Sequence, residues 1–351
     1  MSAAPPDAPG SDAVFVRRVL IVIGLVALAA LLWVVRDALL LAFAAGLVAA
    51  LLLALADGIA HVTRLPHGWA LGAAVSVVIA VLAGAGYAFG AEVAGQVRQL
   101  SDTLPAAASV AMERLEDSWL GPRVQQMLES AAPGAQAMLG WLQAATTGLG
   151  GAMANLFLVV VGGLYIATNP RLYRTGLLKL VPAERRELTG TALRDTGRSL
   201  RLWLVGQLVS MVLVGTLTGV GLWLIGVPSA LVLGLLAGLL EFVPLVGPIV
   251  AAIPGLLIAA TQGTETLLWA LALYFVLQQL EGNIIQPLVQ QRAVSLPPAL
   301  LLFALVAFGT LFGIAGLLLA APLTVVLFVA VKRLYVREAL GTPTPIPGEE
   351  K

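Results

Sequence analysis

Glu241, in Leu240-Glu241-Phe242-Val243-Pro244, is an ionisable side chain set in an apolar stretch of a 351-residue chain. Between Leu202 and Val331 the other acidic residues are Glu265 and Glu281, and the basic one is Arg292. A charge at the centre of an apolar span costs on the order of 2.5–3.5 kcal/mol on insertion scales, so such groups persist where they face a cavity or a partner. A carboxyl can take up and release a proton, which makes Glu241 the candidate proton- or cation-coupling group. The position also suits a glutamate that caps backbone amides freed at the proline-rich break beside it. Glu265 sits in a polar stretch and needs no special reading.

A second cluster is Gln278-Gln279-Leu280-Glu281-Gly282-Asn283-Ile284-Ile285-Gln286-Pro287. On a helix Gln279, Asn283 and Gln286 fall four and three residues apart and make one polar stripe. Amides both donate and accept hydrogen bonds. They can therefore contact a polar solute without burying a charge, or equally tie neighbouring helices together. Glu281 points to another face, where a neighbouring helix can pair with it. Gln207 is a weaker instance of the same idea. Gly309, Gly313 and Gly316 allow either close helix packing or the bend of a broken helix. Pro244, Gly247, Pro248, Pro287 and Pro322 are the remaining candidate tips and hinges.

The elements that position these groups follow from composition. Hydrophobic residues make up 59% of the chain and charged residues 11%, against about 25% charged in an ordinary soluble domain. Lipid is the solvent in which that much apolar surface is stable. Only helices and closed barrels satisfy every backbone group there, and the apolar runs are continuous rather than alternating. The fold expected is therefore all-α, a polytopic integral membrane bundle. A net charge of +1 and no cysteine give no sign of nucleic-acid binding and exclude disulfides and thiolate metal sites. No zinc-protease, nucleophile-elbow or phosphate-loop motif is present. No nucleophile–base pair, metal site or cofactor is expected, so the chain reads as a non-enzyme.

A spanning helix needs roughly 20 apolar residues. After a Pro/Ala-rich tail, 1–12, three spans are expected within 13–90: Val19–Val35, Ala38–Ala56 and Trp69–Gly90, with a tight break at Arg36-Asp37. Residues 91–148 are polar and cut by Pro105, Pro122 and Pro133. They read as amphipathic helices that are extracytoplasmic or lie at the membrane interface. A fourth span is Leu149–Thr168. Asn169 to Arg201 reads as a loop with eight basic and three acidic residues, the mark of a cytoplasmic segment. This count, with Arg17, Arg18, Lys332, Arg333 and Arg337, places both termini in the cytoplasm. A tail, 337–351, closes the chain.

Residues 202–336 form the expected transport core. Leu202–Ile225 is a clean span. Ser229–Val243 and Ile249–Ala260, each too short to cross comfortably, flank Pro244–Pro248. Leu267–Gln286 is another span. Ala299–Val331 is too long for one span, and glycines interrupt its middle. Two hairpins are inferred, one with its tip at Pro244–Pro248 and one near Gly309–Gly316. Such paired broken elements, meeting near the membrane midplane, are the pattern of an inverted repeat. Proline-kinked full spans are the competing arrangement.

Glu241-Phe242-Val243-Pro244-Leu245-Val246-Gly247-Pro248, with Ile253-Pro254 after it, resembles the signature of the autoinducer-2 exporter family. So do Leu280–Pro287 leading to Ser295-Leu296-Pro297-Pro298, then Gly309–Gly316, then Ala320-Ala321-Pro322. The four motifs come in the family's order, Arg64–Gly68 fits as well, and the resemblance runs from Val14 to Arg337. One departure is the phrase Ala54-Leu55-Ala56-Asp57, where the family more often has Asn and Pro. The resemblance implies a bacterial inner-membrane permease and a homo-oligomer, a pentamer being the number it suggests. It also implies export of an autoinducer-2-like signal or, in some members, sodium/proton exchange.

The leading expectation is thus a transporter of a small polar solute in the lipid bilayer, facilitative or driven by a proton or sodium gradient. Its C-terminal half would move against an N-terminal scaffold. A sodium/proton antiporter is the alternative of the same class, and a non-transporting membrane scaffold the alternative of another.

Overall fold

A computed structural model of the chain describes residues 11–116, 149–285, 287 and 296–346, which are helical with no strand among them. Gln286, Arg292 and the segment 117–148, with Pro122 and Pro133, lie outside the described residues. Helix α1 (Ser11–Val34) is followed by α2 (Arg36–Thr63), α3 (His67–Glu116), α4 (Leu149–Thr168), α5 (Pro170–Lys179) and α6 (Arg186–Ile225). Then come α7 (Ala230–Leu240), α8 (Val246–Gln262), α9 (Thr264–Leu280) and α10 (Pro298–Ala330). A π-helical turn, Glu281–Ile285, extends α9, and another, Val331–Ala339, extends α10. Among the described residues four helices are long and apolar enough to cross a membrane, or five if the bent pair α4–α5 counts as one span.

In the N-terminal half, α2 is the post on which α3 and α4 lean. Small side chains allow the close approach: Ala49 and Ala56 of α2 meet Ala70 and Ala74 of α3 and Ala167 of α4. Gly163 of α4 sits against Val48, so near that an added Cβ would lie 2.8 Å from the Val48 Cβ. α1 stands apart, with none of its apolar window buried.

Three expectations change here. α3 runs through Pro105 to Glu116 in one piece, so the third span and the start of the amphipathic segment are a single helix. The helix continues across the one hydrogen bond that a proline removes. The basic segment after Thr168 is helical rather than a loop. α5 turns 88° from α4, and Arg174 of α5 donates to the Gly190 carbonyl of α6 at 3.1 Å. α6 itself begins at Arg186 and ends at Gly226 in the left-handed region (φ 87°), so its first turns carry the arginines. The polar stretch Thr261–Thr266 shrinks to a break at Gly263, between α8 and α9.

The helical path breaks at Glu241–Leu245 and again at Gly313. α7 and α8 pack on each other through a tip of five residues, Glu241 to Leu245. Leu245 adopts φ 70°, ψ −48°, and the Val246 N–H bonds to the Pro244 carbonyl at 2.9 Å. This is a γ-turn of the rare positive-φ kind. Gly247 follows where a side chain has no room, against the carbonyl end of Leu240. In α10, Gly313 leaves the helical region (φ 64°, ψ −144°). Beyond it the chain doubles back: the space for a Cβ on Gly316 is already filled by the Phe308 carbonyl. A straight helix would hold those two residues roughly 12 Å apart.

Candidate functional site

Glu241 caps the C-terminal end of α7, where the last carbonyls of a helix have no intrahelical partner. Gln207 of α6 supplies one: its Nε2 donates to the Glu241 carbonyl at 2.5 Å, in a buried setting. The tip is wedged further by Phe242, whose ring meets Trp203 of α6 edge-on at 6.0 Å. Val243 of the same tip is buried with Leu305 and Ala320, which belong to the two limbs of α10. The two hairpins thus meet at their ends, and Ala321 and Val325 carry the packing on to Leu200, Leu204 and, in α2, Leu47.

The Glu241 side chain is 2% exposed and that of Glu281 4% exposed. Their carboxyl groups lie against each other. Oε2 of Glu241 has no hydrogen-bond partner. Two carboxylates in contact cannot both carry charge cheaply, so a pair of this kind shares one proton. Glu281 begins the π-helical turn after α9. A single-turn π-bulge inside an α-helix is often placed where function needs a side chain redirected. Here the turn leaves Glu281 buried and the next three residues exposed.

A cavity of about 340 Å³ opens beside Glu281, between α6, α7, α8 and α9. Val214, Ala251 and Leu256 are among its aliphatic walls, and Thr218, Tyr274, Gln278 and Glu281 are its hydrogen-bonding groups. Thr218 is 1% exposed, and the Tyr274 hydroxyl is buried without a partner. Gly255 of α8 makes room for that hydroxyl; a methyl group there would collide with it. Pro254, inside α8, has no N–H to give its helix, so a carbonyl one turn earlier lacks its usual donor.

The sequence candidates separate into groups. Glu241, Glu281 and Gln207 are brought together at the first hairpin tip. Glu281 indeed uses a different face from the amides, and its partner there is Glu241. Gln279 and Asn283 are not at the cavity. Both are exposed on the outer face of α9, where Asn283 Nδ2 donates to the Gln279 carbonyl and to its Oε1 at 3.0 and 3.1 Å. The adjacent Gln278, exposed as well, is the amide that borders the cavity, because a stripe read on uniform helical spacing does not fix which residue meets it. Pro244 and Gly247 shape the first tip, and Pro248 lies within the first turn of α8. Gly313 and Gly316 shape the second, with Gly309 close to Leu317. Pro322 is buried inside the return limb of α10, and Pro287 is exposed.

Sequence reading missed two sets of residues. Gly215 and Gly219 of α6 press on Gly234 and Gly238 of α7, backbone against backbone; a Cβ on Gly234 would lie 2.5 Å from the Gly219 Cα. The Gly-x-x-x-Gly spacing in both helices was the available signal. Gln96 was unmarked. It lies on α3, yet its Oε1 accepts from the Val232 N–H at 3.2 Å, and Ser229 Oγ contacts its carbonyl at 3.4 Å. It therefore caps the start of α7 from another helix, and no local pattern announces such a cap.

The fold and the site define a polytopic helical membrane protein built around two helical hairpins that meet tip to tip beside a buried acid pair. Comparison with known proteins goes one step further: residues 21–336 match the profile of the AI-2E family transporter. The chain belongs to that family. YrrI of Bacillus subtilis (strain 168), whose name assigns it to transport, is 36% identical over 163 residues, 46% of each chain. YueF of the same organism, also named for transport, is 25% identical over 243 residues, 66% of each chain. The AI-2 transport protein TqsA of Escherichia coli (strain K12) is 29% identical over 190 residues, 53% of this chain and 54% of TqsA. These matches span between about half and two thirds of the relatives' length.

Proposed function

We propose that the chain carries a small solute across the membrane and exchanges it against a proton held by the Glu241–Glu281 pair. The observation that carries this reading is the pair itself: two buried carboxyls set against each other at the tip of a broken helix, one of them lining a cavity. Membership of the AI-2E family supports transport. The name of TqsA supports a small signal of the autoinducer-2 kind as one solute to try. The N-terminal bundle around α2 is the scaffold in this reading, and the hairpins with α6 and α9 are the moving part. The protein works as a homo-oligomer in the cell inner membrane with both termini cytoplasmic, as the resemblance and the distribution of arginines imply. Solute contact belongs to Thr218, Tyr274 and Gln278 rather than to the outward-facing Gln279 and Asn283. A sodium/proton exchange is the second reading, favoured by the same carboxyl oxygens, which are hard ligands suited to a small cation.

Purified protein in liposomes with an internal pH dye tests the coupling. Solute-dependent proton flux is expected in the native chain and absent in Glu241→Gln. Proton flux unchanged by that substitution would remove the pair from the mechanism, and sodium-dependent flux without organic solute would select the second reading.

A further inference from the structure

We propose that the cavity takes a small solute bearing one protonated amine on an apolar body, and that the amine displaces the proton held between Glu241 and Glu281. This rests on the transport reading above for its purpose, but not for its chemistry.

Three observations lead there. The first is the sign of the site. Among the described lining residues the ionisable groups are Glu281 and Tyr274, and Glu281 lies against Glu241. No lysine, arginine or histidine is among the described lining residues. An anionic solute would therefore meet buried carboxyls with nothing to neutralise it, which is costly. The second is the unused acceptor. Oε2 of Glu241 is buried without a donor, in a side chain 2% exposed. An ammonium group brings three donors and no acceptor, so it can bridge both carboxyls where a single shared proton satisfies one contact. The third is the rest of the wall. It is mostly aliphatic, with the Tyr274 ring and two hydroxyls, which suits an apolar body and a cation over an aromatic face. About 340 Å³ lies at the small end of ligand cavities, so the solute is small.

The exchange balances without covalent chemistry. The acid pair with one proton carries one negative charge. An ammonium bound to the pair after that proton has left carries the same net charge. One proton leaves to the aqueous phase for each amine that enters.

The probes are phenethylamine and two relatives of similar shape, 2-phenylethanol and phenylacetate. Binding is measured by equilibrium dialysis against the full chain in nanodiscs, with empty nanodiscs subtracted. Proton release is followed in weakly buffered solution with a pH dye. The expected result is saturable amine binding with about one proton released per amine, the alcohol weaker by at least about tenfold, as fits loss of a charge-assisted contact, and no binding of phenylacetate. Glu281→Gln should abolish proton release and the preference for amine over alcohol, and Glu281→Asp should restore part of both. Ala252→Leu, which fills the cavity and leaves the acid pair in place, should weaken amine and alcohol together. Equal binding of amine and alcohol, amine binding without proton release, or a preference that survives Glu281→Gln would each overturn the inference. Amine binding in a chain that shows no flux of any solute would leave the site standing and refute the transport reading instead.

Discussion

Gln207 of α6 donates its amide to the backbone carbonyl of Glu241, at the C-terminal end of α7. One bond thus fixes where the helix stops and where the acid side chain starts. The carboxyl that follows lies against Glu281 at the end of α9, so three stretches of chain distant in sequence converge on one site.

The pairing makes the response to substitution depend on what replaces the acid. Glu241→Gln keeps a donor for Glu281 and should change stability by less than about 1 kcal/mol, near the net worth of one hydrogen bond. Glu241→Ala removes the donor and leaves Glu281 buried without its neighbour, and should cost about 1–3 kcal/mol. Thermal unfolding in detergent, run on both variants beside the native chain, checks the difference. Equal losses would mean that the side chains do not bond.

The second hairpin can be tested with chemistry that the native chain lacks. It contains no cysteine, so a cysteine pair reports without background. Leu305 and Ala320 share one buried cluster with Val243, and Leu305→Cys with Ala320→Cys should crosslink under mild oxidation. An unbroken α10 would hold them about 22 Å apart, beyond the reach of any disulfide. A pair that stays reduced in folded protein would argue for one long span.

The glycine crossing predicts a sharp contrast between positions. Gly234→Val puts a branched side chain into the backbone of Gly215 and Gly219, and should destabilise by about 1–3 kcal/mol or more through overpacking. Gly24→Val on α1 meets open space and should stay within about 0.5 kcal/mol, as surface substitutions do. Unfolding midpoints of the two variants measure this directly.

Asp57 stands where the family phrase departs, and it has a partner. Arg201 Nη1 of α6 bonds to Asp57 Oδ2, and His67 Nδ1 lies 3.5 Å from Oδ1. The side chains are 39% and 46% exposed, so solvent screens them. A double-mutant cycle of Asp57→Ala and Arg201→Ala should return about 0.2–1 kcal/mol of coupling, and less in high salt. No coupling at low salt would show that the contact between α2 and α6 does not depend on charge.

Much of this architecture was legible because lipid leaves so few options for a backbone. The Leu149–Thr168 helix ends as read, and Pro244, Gly247 and Gly313 mark real turns because each breaks a rule that a continuous helix must keep. Glu241 and Glu281 were visible as charges in apolar sequence. Their meeting was not, since it depends on how α9 is rotated and on the π-helical turn that carries Glu281. The same rotation decided that Gln278 borders the cavity and Gln279 does not. Gln96 stayed hidden because it serves a helix far from it in sequence. The run from Gly90 to Glu116 misled because Pro105 signals a break that its surroundings override.

The crossing of α6 and α7 also limits how this molecule can deform. Gly215 and Gly219 are flanked by Val214, Thr216 and Thr218, and Gly234 and Gly238 by Leu233, Leu235 and Leu239. Shifting one helix along the other by a turn, about 5.4 Å, would leave one glycine of each pair facing a larger side chain instead of bare backbone. The interlock behaves as a detent rather than a bearing. Displacement of the first hairpin therefore drags α6 with it, and the give in the chain falls to Gly263, whose positive φ of 125° marks the end of that rigid block toward α9.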